Sequence, residues 1–377
     1  MNRVEFDFER LRSVVRQFSL LGDVVAAERY GSGHINDTYK VAMNLAGTPL
    51  NYLLQRINHS IFKDPAQLME NILRVTEHQW SKIADPDDLD ASRRCLTVLM
   101  SNAGLPYVRD EDGNWWRGYL FIEKARTWDQ IESNSFAYEA ARAFAGFQNQ
   151  LADLPLPRLH ETIPDFHHTP KRIEALDRAI AEDAHGRAAE VQAEIEFVYQ
   201  RREECGRLIR RFEAGEIPER ITHNDTKINN VMLDDASGKG ICVIDLDTVM
   251  PGLALYDFGD MVRSAAAASA EDERDLSLAG TRIDVFEALV RGYLPEAGFL
   301  NEAELEELAF SGRLITMTIG IRFLTDYLCG DVYFRTHRTG QNLDRCRVQF
   351  QMVRSMEQQS AAMEAVVAAV RRICFAP

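Results

Sequence analysis

Several features that define other classes of protein are missing from this chain of 377 residues. Its six cysteines are scattered and form no Cys-x-x-Cys pair, which argues against a disulfide framework or a zinc site. No run of about 18 apolar residues is present that could cross a membrane, and the charged first residues are unlike a signal peptide. No Gly-x-x-x-x-Gly-Lys-Ser/Thr motif occurs, which excludes a Walker-type ATPase. These absences predict a cytoplasmic protein.

Positive charge is also in short supply. The chain has 43 Lys and Arg against 58 Asp and Glu, a net charge of −15. Such a surface repels phosphate backbones and anionic lipids, so we expect neither nucleic acid nor a membrane as a partner. A small anionic ligand is not excluded, because local basic groups can override the global field. No feature indicates an obligatory protein partner.

The pattern of apolar residues changes near residue 124. Before it, short apolar runs alternate with turn residues, and after it helical spacing dominates. We therefore predict an α+β fold with a strand-rich lobe over 1–123, a mainly helical lobe over 124–377, and a ligand cleft between them. The predicted strands are 24–30, 38–43, 50–57, 96–100, 115–122, 230–233 and 241–246. The predicted helices are 5–19, 64–80, 135–151, 171–212, 301–328 and 342–372.

The densest polar cluster has the spacing His223-x-Asp225-x-x-x-x-Asn230. Phosphoryl transfer requires a carboxylate that accepts the proton of the attacking hydroxyl and oxygen ligands for magnesium. Asp225 is the candidate base, and Asn230 is a candidate amide ligand. Asp245, which follows an apolar run, is the candidate second metal ligand. Each residue alone is explained by a polar turn, but the three together favour the catalytic interpretation.

Two other interpretations compete. The run from Asp245 to Val249 also fits the Asp-x-Asp-x-Thr/Val signature of phosphatases whose first aspartate is a nucleophile. That signature normally lies on an early strand of a parallel sheet, whereas here it lies late and mainly helix follows. The chain could also be a nucleotide-binding module without activity, although decayed enzymes often lose one of Asp225, Asn230 and Asp245.

This catalytic segment resembles that of the aminoglycoside phosphotransferase and choline kinase superfamily, whose fold is bilobal and protein-kinase-like. More narrowly, the chain is similar to the N-acetylhexosamine 1-kinases over 30–39, 53–58, 223–230, 244–260 and 321–334. This resemblance implies transfer of the γ-phosphate of ATP to the anomeric hydroxyl of N-acetylglucosamine or N-acetylgalactosamine, with Mg²⁺. Choline, homoserine or an aminoglycoside remain alternative acceptors.

The resemblance also implies roles for particular residues. Asp225 is expected to be the base and to bind the sugar together with His34, Arg322 and Tyr333. Asn230 and Asp245 are expected to bind Mg²⁺. The residues expected on the nucleotide side are Gly31, Gly33, Arg56, Phe121, Glu123 and Lys227.

Three departures from kinase patterns concern the nucleotide side. The strand that normally carries a phosphate-binding lysine reads Leu-Leu-Gln-Arg over 53–56, so Arg56 is the candidate substitute. The turn after Tyr30 lacks the third glycine of Gly-x-Gly-x-x-Gly. Asp257 opens an Asp-Phe-Gly triplet that lies too far after Asp225 to bind metal, and we expect it either to brace the catalytic loop or to cap a helix.

Overall fold

In the computed structural model of the chain, residues 8–31, 35–85, 87–88, 90–131 and 133–375 are described. A five-stranded antiparallel sheet occupies the first third, in the spatial order β1-β2-β3-β5-β4. Its strands are β1 Asp23–Arg29, β2 Asp37–Leu45, β3 Thr48–Ile57, β4 Val108–Arg109 and β5 Trp115–Leu120.

The two faces of this sheet have different tasks because side chains alternate along each strand. Val41, Leu54 and Trp116 belong to a small core that also holds Leu11 and Val14 of helix α1 (Phe8–Val15). The opposite face of the sheet is turned toward helix α2 (Pro65–Ile83) and the cleft.

Helix α2 begins with strong local signals. The Asp64 carboxylate accepts hydrogen bonds from the N–H groups of Ala66 and Gln67, and Pro65 occupies the first turn. Leu68 and Ile72, four residues apart, are buried in the main core. That core is continuous from the cleft-side face of the sheet into the helical part of the chain.

The remainder is mainly helical, which confirms the predicted α+β architecture of a strand-rich first part and a mainly helical second part. Two small sheets, β6-β8-β9 and β7-β10, lie where it meets the cleft. The helices are α3 Asn134–Leu151, α4 Thr169–Glu182, α5 Gln192–Gln200, α6 Arg202–Cys205, α7 Arg207–Glu213, α8 Ala254–Ala265, α9 Ile283–Tyr293, α10 Glu302–Leu328, α11 Gln341–Gln358 and α12 Ser360–Cys374. The strands are β6 Ala125–Arg126, β7 Arg220–Thr222, β8 Val231–Asp234, β9 Gly240–Val243 and β10 Met250–Gly252.

Some predicted elements were wrong. The segment 96–100 forms no strand and touches the sheet through an isolated bridge between Val98 and Tyr119. The stretch 171–212 is helical as predicted and is divided into four α-helices, the first of which ends at Asp183 in a left-handed conformation with φ of 36°. The predicted helix 342–372 is interrupted at Gln359. Within the described ranges, no helix has the length and apolar character needed to cross a membrane.

Candidate active site

The polar cluster found in the sequence forms a loop between β7 and β8. Strand β8 pairs with β9, and this hairpin returns the chain to the loop. The N–H of Ile244 donates to the carbonyl oxygen of Asn230 at 2.9 Å. Asp245 therefore follows directly beside Asn230, although 15 residues separate them. The structure brings the two predicted metal ligands to one edge of the cleft.

Asp225 lies on the cleft side of this loop, with 29% of its side chain exposed. The Lys227 ammonium lies 2.8 Å from Asp225 Oδ1. The Asn230 amide donates to Asp225 Oδ2 at 3.2 Å and to the Asp225 carbonyl at 2.8 Å. Partial burial raises the pKa of Asp225, but the charge and hydrogen bond of Lys227 outweigh it and leave the pKa below its usual value. The carboxylate is therefore ionised and able to accept a proton.

Asp245 is held in an unusual backbone conformation at the end of the β8–β9 hairpin. Its φ is 60°, in the left-handed region that aspartate enters more readily than most residues. Its side chain reaches solvent, yet desolvation within the cleft and then repulsion by Asp247 and Asp225 raise its pKa to about 7. A cation beside Asp245 would relieve this repulsion.

The donor set fits Mg²⁺, which prefers oxygen ligands and usually takes one or two carboxylates together with substrate phosphates and waters. The Asn230 amide is oriented by donating through its nitrogen to Asp225, so its oxygen is the atom that could coordinate a cation. In the part of the chain that the structure describes, three His, Cys, Asp or Glu side chains do not gather into a preformed metal site.

Asp257 supports the catalytic loop from below. It is fully buried in the first turn of α8, and its carboxylate accepts the N–H groups of His223 at 2.8 Å and Asn224 at 2.7 Å. The Gln148 amide donates to it at 2.8 Å. Burial raises its pKa to about 7, against the effect of these three donors. Because Asp257 faces the loop backbone and not the cleft, the predicted bracing role is confirmed.

A second brace, not found from the sequence, lies one turn further along α8. Asp260 accepts the N–H of Thr226 at 3.0 Å and the Nε–H of Arg263 at 2.7 Å. Thr226 Oγ1 also donates to the carbonyl of Asp257 at 2.6 Å. Positions three apart lie on one helix face, so the spacing of the two aspartates was the signal available in the sequence.

His223 has a structural task and does not titrate at neutral pH. Its Nε2 donates to the carbonyl of Ile244 at 2.9 Å, which leaves Nδ1 to accept the N–H of Asp225 at 3.3 Å. The edges of Phe144 and Phe147 pack on its ring. Burial lowers its pKa. The neutral ring thus fixes the chain at Ile244, directly before Asp245, against the loop that carries Asp225.

The geometry argues against Arg56 as the substitute for the missing strand lysine. Arg56 lies directly opposite Asp37 in the β2–β3 register, on the outer face of the sheet, and its Nε donates to Asp37 at 2.9 Å. Gln55 and its register partner Arg117 lie on the cleft-side face. Gln55 and Arg56 are neighbours on β3, so their side chains lie on opposite faces of the sheet. The sequence pattern did not show which of the two faces the cleft.

Arg117 of β5 connects the sheet to the segment 245–248, which contains the candidate metal ligand Asp245. Its guanidinium makes a buried ion pair with Asp247, and its Nε donates to Gln55 Oε1 at 2.8 Å. Only 1% of the Arg117 side chain and 5% of that of Asp247 are exposed. Asn36, just beyond the glycine turn, donates to the other oxygen of Asp247 at 2.6 Å. Asp247 therefore ties two parts of the first lobe to the segment that carries Asp245.

Among the residues expected on the nucleotide side, Phe121 and Glu123 lie in the connection between β5 and β6. The N–H of Phe121 donates to the carbonyl of Asn51 at 3.2 Å, and the carbonyl of Glu123 accepts the Nε–H of Arg93 at 3.0 Å. The ring of Tyr30 meets Phe121 edge-on with centroids 5.4 Å apart. Gly31 opens the turn with φ of 79°. The predicted residues Gly33 and His34 lie outside the described residues.

The expected sugar residues Arg322 and Tyr333 meet on the helical side. Arg322 lies on α10 and donates through Nη2 to the Tyr333 hydroxyl at 3.2 Å. Both line a cavity of about 270 Å³. The Asp326 carboxylate fixes the Tyr333 loop by accepting the N–H groups of Val332, Tyr333 and Phe334.

Comparison with known proteins agrees with this architecture. An aminoglycoside phosphotransferase from Alicyclobacillus acidocaldarius superposes with a TM-score of 0.53 at 12% identity, over 99% of this chain and 98% of that chain. A choline kinase from Cryptosporidium parvum gives 0.54 at 12% identity, over 92% and 93%. The ADP-bound aminoglycoside phosphotransferase APH(2'')-Ib gives 0.53 at 12% identity, over 93% and 99%.

These structural likenesses show the fold, and the sequence itself shows the family. The match to the phosphotransferase enzyme family (APH) runs over residues 26–299, well over half of the chain. It includes both the catalytic loop and Asp245. The chain belongs to the APH phosphotransferase enzyme family.

Proposed function

We propose that this phosphotransferase transfers the γ-phosphoryl group of ATP to the anomeric hydroxyl of an N-acetylhexosamine, either N-acetylglucosamine or N-acetylgalactosamine. The observation that carries the proposal is the position of the Asp225 carboxylate, which faces the cleft beside Lys227 and Asn230. The sequence segments similar to N-acetylhexosamine 1-kinases support the sugar acceptor, as does the pairing of Arg322 with Tyr333.

In the proposed reaction, Asp225 accepts the proton of the anomeric hydroxyl as its oxygen attacks the γ-phosphorus. The bond from that phosphorus to the β–γ bridging oxygen breaks, and ADP leaves with the electron pair. An anomeric hydroxyl is more acidic than an ordinary alcohol, so a carboxylate is an adequate base. Lys227, now paired with Asp225, is positioned to turn to the transferred phosphoryl group. Most of the rate enhancement then comes from positioning.

The nucleotide would bind between the lobes. Mg²⁺, when bound with the nucleotide, neutralises phosphate charge, and Asn230 and Asp245 would hold it. The Phe121 N–H and the Glu123 carbonyl already have partners, so adenine would use the Phe121 carbonyl and the Glu123 N–H. The ADP-bound relative supports ATP as the phosphoryl donor.

The test is Mg-ATP turnover, measured as ADP release against a panel of acceptors. The panel holds N-acetylglucosamine, N-acetylgalactosamine, glucose, galactose, choline, homoserine and an aminoglycoside, and phosphorus NMR identifies the product. We expect an anomeric phosphate from the N-acetylated sugars and far less product from the others.

The other outcomes separate the alternatives. Turnover with choline, homoserine or the aminoglycoside would keep the catalytic roles and overturn the sugar acceptor. Binding of Mg-ADP without turnover of any acceptor would support a nucleotide-binding module. Phosphate release from a generic phosphate ester without ATP, lost in Asp245→Asn, would support the phosphatase interpretation.

A further inference from the structure

The cavity that holds Arg322 contains a second arginine. Arg172 of α4 lines the same space of about 270 Å³, together with the Tyr333 loop. Arg172 donates through Nε and Nη2 to one backbone acceptor, the carbonyl of Phe166, at 3.3 and 3.0 Å. Arg322 donates to the hydroxyl of Tyr333. Across the described ranges, neither guanidinium forms an ion pair with a carboxylate.

Carboxylates near this cavity are committed elsewhere. Asp326 lines it, but its two oxygens accept three loop N–H groups and the amide of Asn342. Asp165, whose charge reaches Arg172, is paired with the Lys171 ammonium at 2.7 Å. Asp260, whose charge reaches Arg322, accepts the Nε–H of Arg263 at 2.7 Å. Among the residues that the structure describes, the two guanidinium charges therefore face the cavity without a carboxylate paired to either.

Burial of the two arginines beside each other disfavours their charged forms, and their pKa values are lowered. Burial and then the charge of Arg322 lower the pKa of Arg172 to about 10. Burial also lowers the pKa of Arg322. The faces of Phe166, Tyr333 and Phe334 surround the Arg322 guanidinium at 4.7 to 5.5 Å, which holds it in place. Two like charges kept close in a cavity are suited to a ligand of opposite charge.

We propose that the acceptor carries an anionic substituent, such as a sulfate, phosphate or carboxylate, and that Arg172 and Arg322 bind it in this cavity. Planar guanidinium groups bind such oxyanions through paired hydrogen bonds. The inference rests on the proposed function and narrows its substrate class to acidic amino sugars. The chain has a net charge of −15, so most of its surface repels anions. A local cationic pocket would therefore direct an anionic sugar to this cavity and favour it over a neutral sugar.

The cavity is connected to the catalytic loop by short contacts. The Arg322 guanidinium lies over the ring of Phe166, 4.7 Å from its centroid. The next residue, His167, donates through Nε2 to the carbonyl of Asn224 at 2.9 Å. Asn224 precedes Asp225. These contacts couple the arginines to the loop that carries Asp225. The inference takes one acceptor molecule to span the two places, with its anionic group at the arginines and its hydroxyl at the base.

The experiment compares N-acetylglucosamine with N-acetylglucosamine 6-sulfate in the wild type, in Arg172→Gln and in Arg178→Gln. Arg178 is exposed on the same helix and is not part of the cavity wall, so it controls for loss of one positive charge. We expect kcat/KM for the sulfated sugar to exceed that for the neutral sugar about tenfold, mainly through KM. This ratio should fall to about 1 in Arg172→Gln and persist in Arg178→Gln.

Direct binding keeps the inference testable without turnover. Calorimetric titration with the sulfated sugar should show binding that weakens about tenfold in Arg172→Gln. Inorganic sulfate should bind far more weakly than the sulfated sugar, and equal affinities would point to a free anion as the ligand and overturn the proposed substituent. Good turnover of the neutral sugar with no preference for the sulfated one would overturn the inference alone. The proposed function alone would be overturned if neither sugar were a substrate while the sulfated sugar still bound and this binding depended on Arg172.

Discussion

At the scale of single residues, the Asp225 carboxylate is held by two donors, which would change partners in the proposed reaction. Lys227 keeps it ionised, and the Asn230 amide fixes its direction. Asp225→Asn keeps the size of the side chain but removes the proton acceptor. We expect kcat to fall about 10²–10⁴-fold.

Nucleotide affinity should change much less than kcat in that variant, because Asp225 is not an expected metal ligand. Single-turnover rates and calorimetric binding of Mg-ADP measure the two quantities. Asp112→Asn, at a side chain 67% exposed, is a matched control. An undiminished rate in Asp225→Asn would remove it as the base.

His167 is a buried histidine whose protonation opposes folding. Its Nε2 donates to the Asn224 carbonyl, whereas its Nδ1 is buried and has no hydrogen-bond partner among the described residues. Burial lowers its pKa to about 4, below the value of about 6.5 expected in the unfolded chain. Between these values the unfolded state binds more protons, so this residue makes stability rise with pH from about 4 to 6.5 and level off above.

His167→Gln can retain the donor to Asn224 and cannot titrate. Between pH 7.5 and pH 4.5, we expect the wild type to lose about 2–3 kcal/mol of stability that the variant does not lose. Urea unfolding across this range measures the difference, with His59→Gln, at an exposed position, as the control. Parallel pH profiles for wild type and His167→Gln would contradict the assignment.

At the scale of elements, the ion pair of Arg117 and Asp247 joins strand β5 to the segment before β10. Truncation of one partner leaves a buried charge without compensation. Arg117→Gln should therefore lower the free energy of unfolding by roughly 3–5 kcal/mol. Equilibrium denaturation measures this loss.

Arg126→Gln is the control, because the pair of Arg126 with Asp235 is largely exposed and should matter far less. Equal losses in the two arginine variants would contradict the structural role of Arg117. The more conservative Arg117→Lys should recover part of the stability, since it restores the charge but not the planar fork.

Two glycines on helices give another prediction at this scale. A Cβ at Gly292 of α9 would lie 2.2 Å from the carbonyl oxygen of Tyr138 on α3, whereas a Cβ at Gly146 of α3 meets open space. Gly292→Ala should destabilise by about 1–3 kcal/mol, because it forces the helices apart. Gly146→Ala should stabilise by about 0.5–1 kcal/mol through helix propensity. Thermal unfolding of both variants provides the comparison, and equal effects would contradict the close approach of α3 and α9.

The elements also show how far a sequence can be interpreted without a structure. The hairpin that carries the candidate site was predictable because its signals are local, namely the spacing of Asp225 and Asn230 and the apolar run before Asp245. The place of Arg117 on the cleft-side face of the sheet was not predictable. Packing against α1 on one side and α2 on the other decides which face of the sheet is turned toward the cleft. Arg172 was missed because the cavity that it shares with Arg322 forms only where α4 meets α10, some 150 residues later in the chain.

At the scale of the whole molecule, the two lobes already share contacts through Asp247, and a nucleotide would add to them. A ligand that binds only the folded state stabilises it, by about 2.7 kcal/mol at a hundredfold excess over Kd. We expect ADP with Mg²⁺ to raise the Tm more than ADP alone, because Asp245 contributes only through the metal. In Asp245→Asn the increment from Mg²⁺ should shrink while the shift from ADP alone persists.

Asp245→Asn should itself raise the Tm without ligand, since it removes a carboxylate that repels Asp247 and Asp225. This opposite sign separates a metal-site residue from a merely structural one, whose replacement would lower both values. Thermal scans with ADP, with Mg²⁺, with both and with neither give the comparison. An unchanged magnesium increment in Asp245→Asn would move the metal away from this edge of the cleft, and with it the expected orientation of the phosphates toward Asp225.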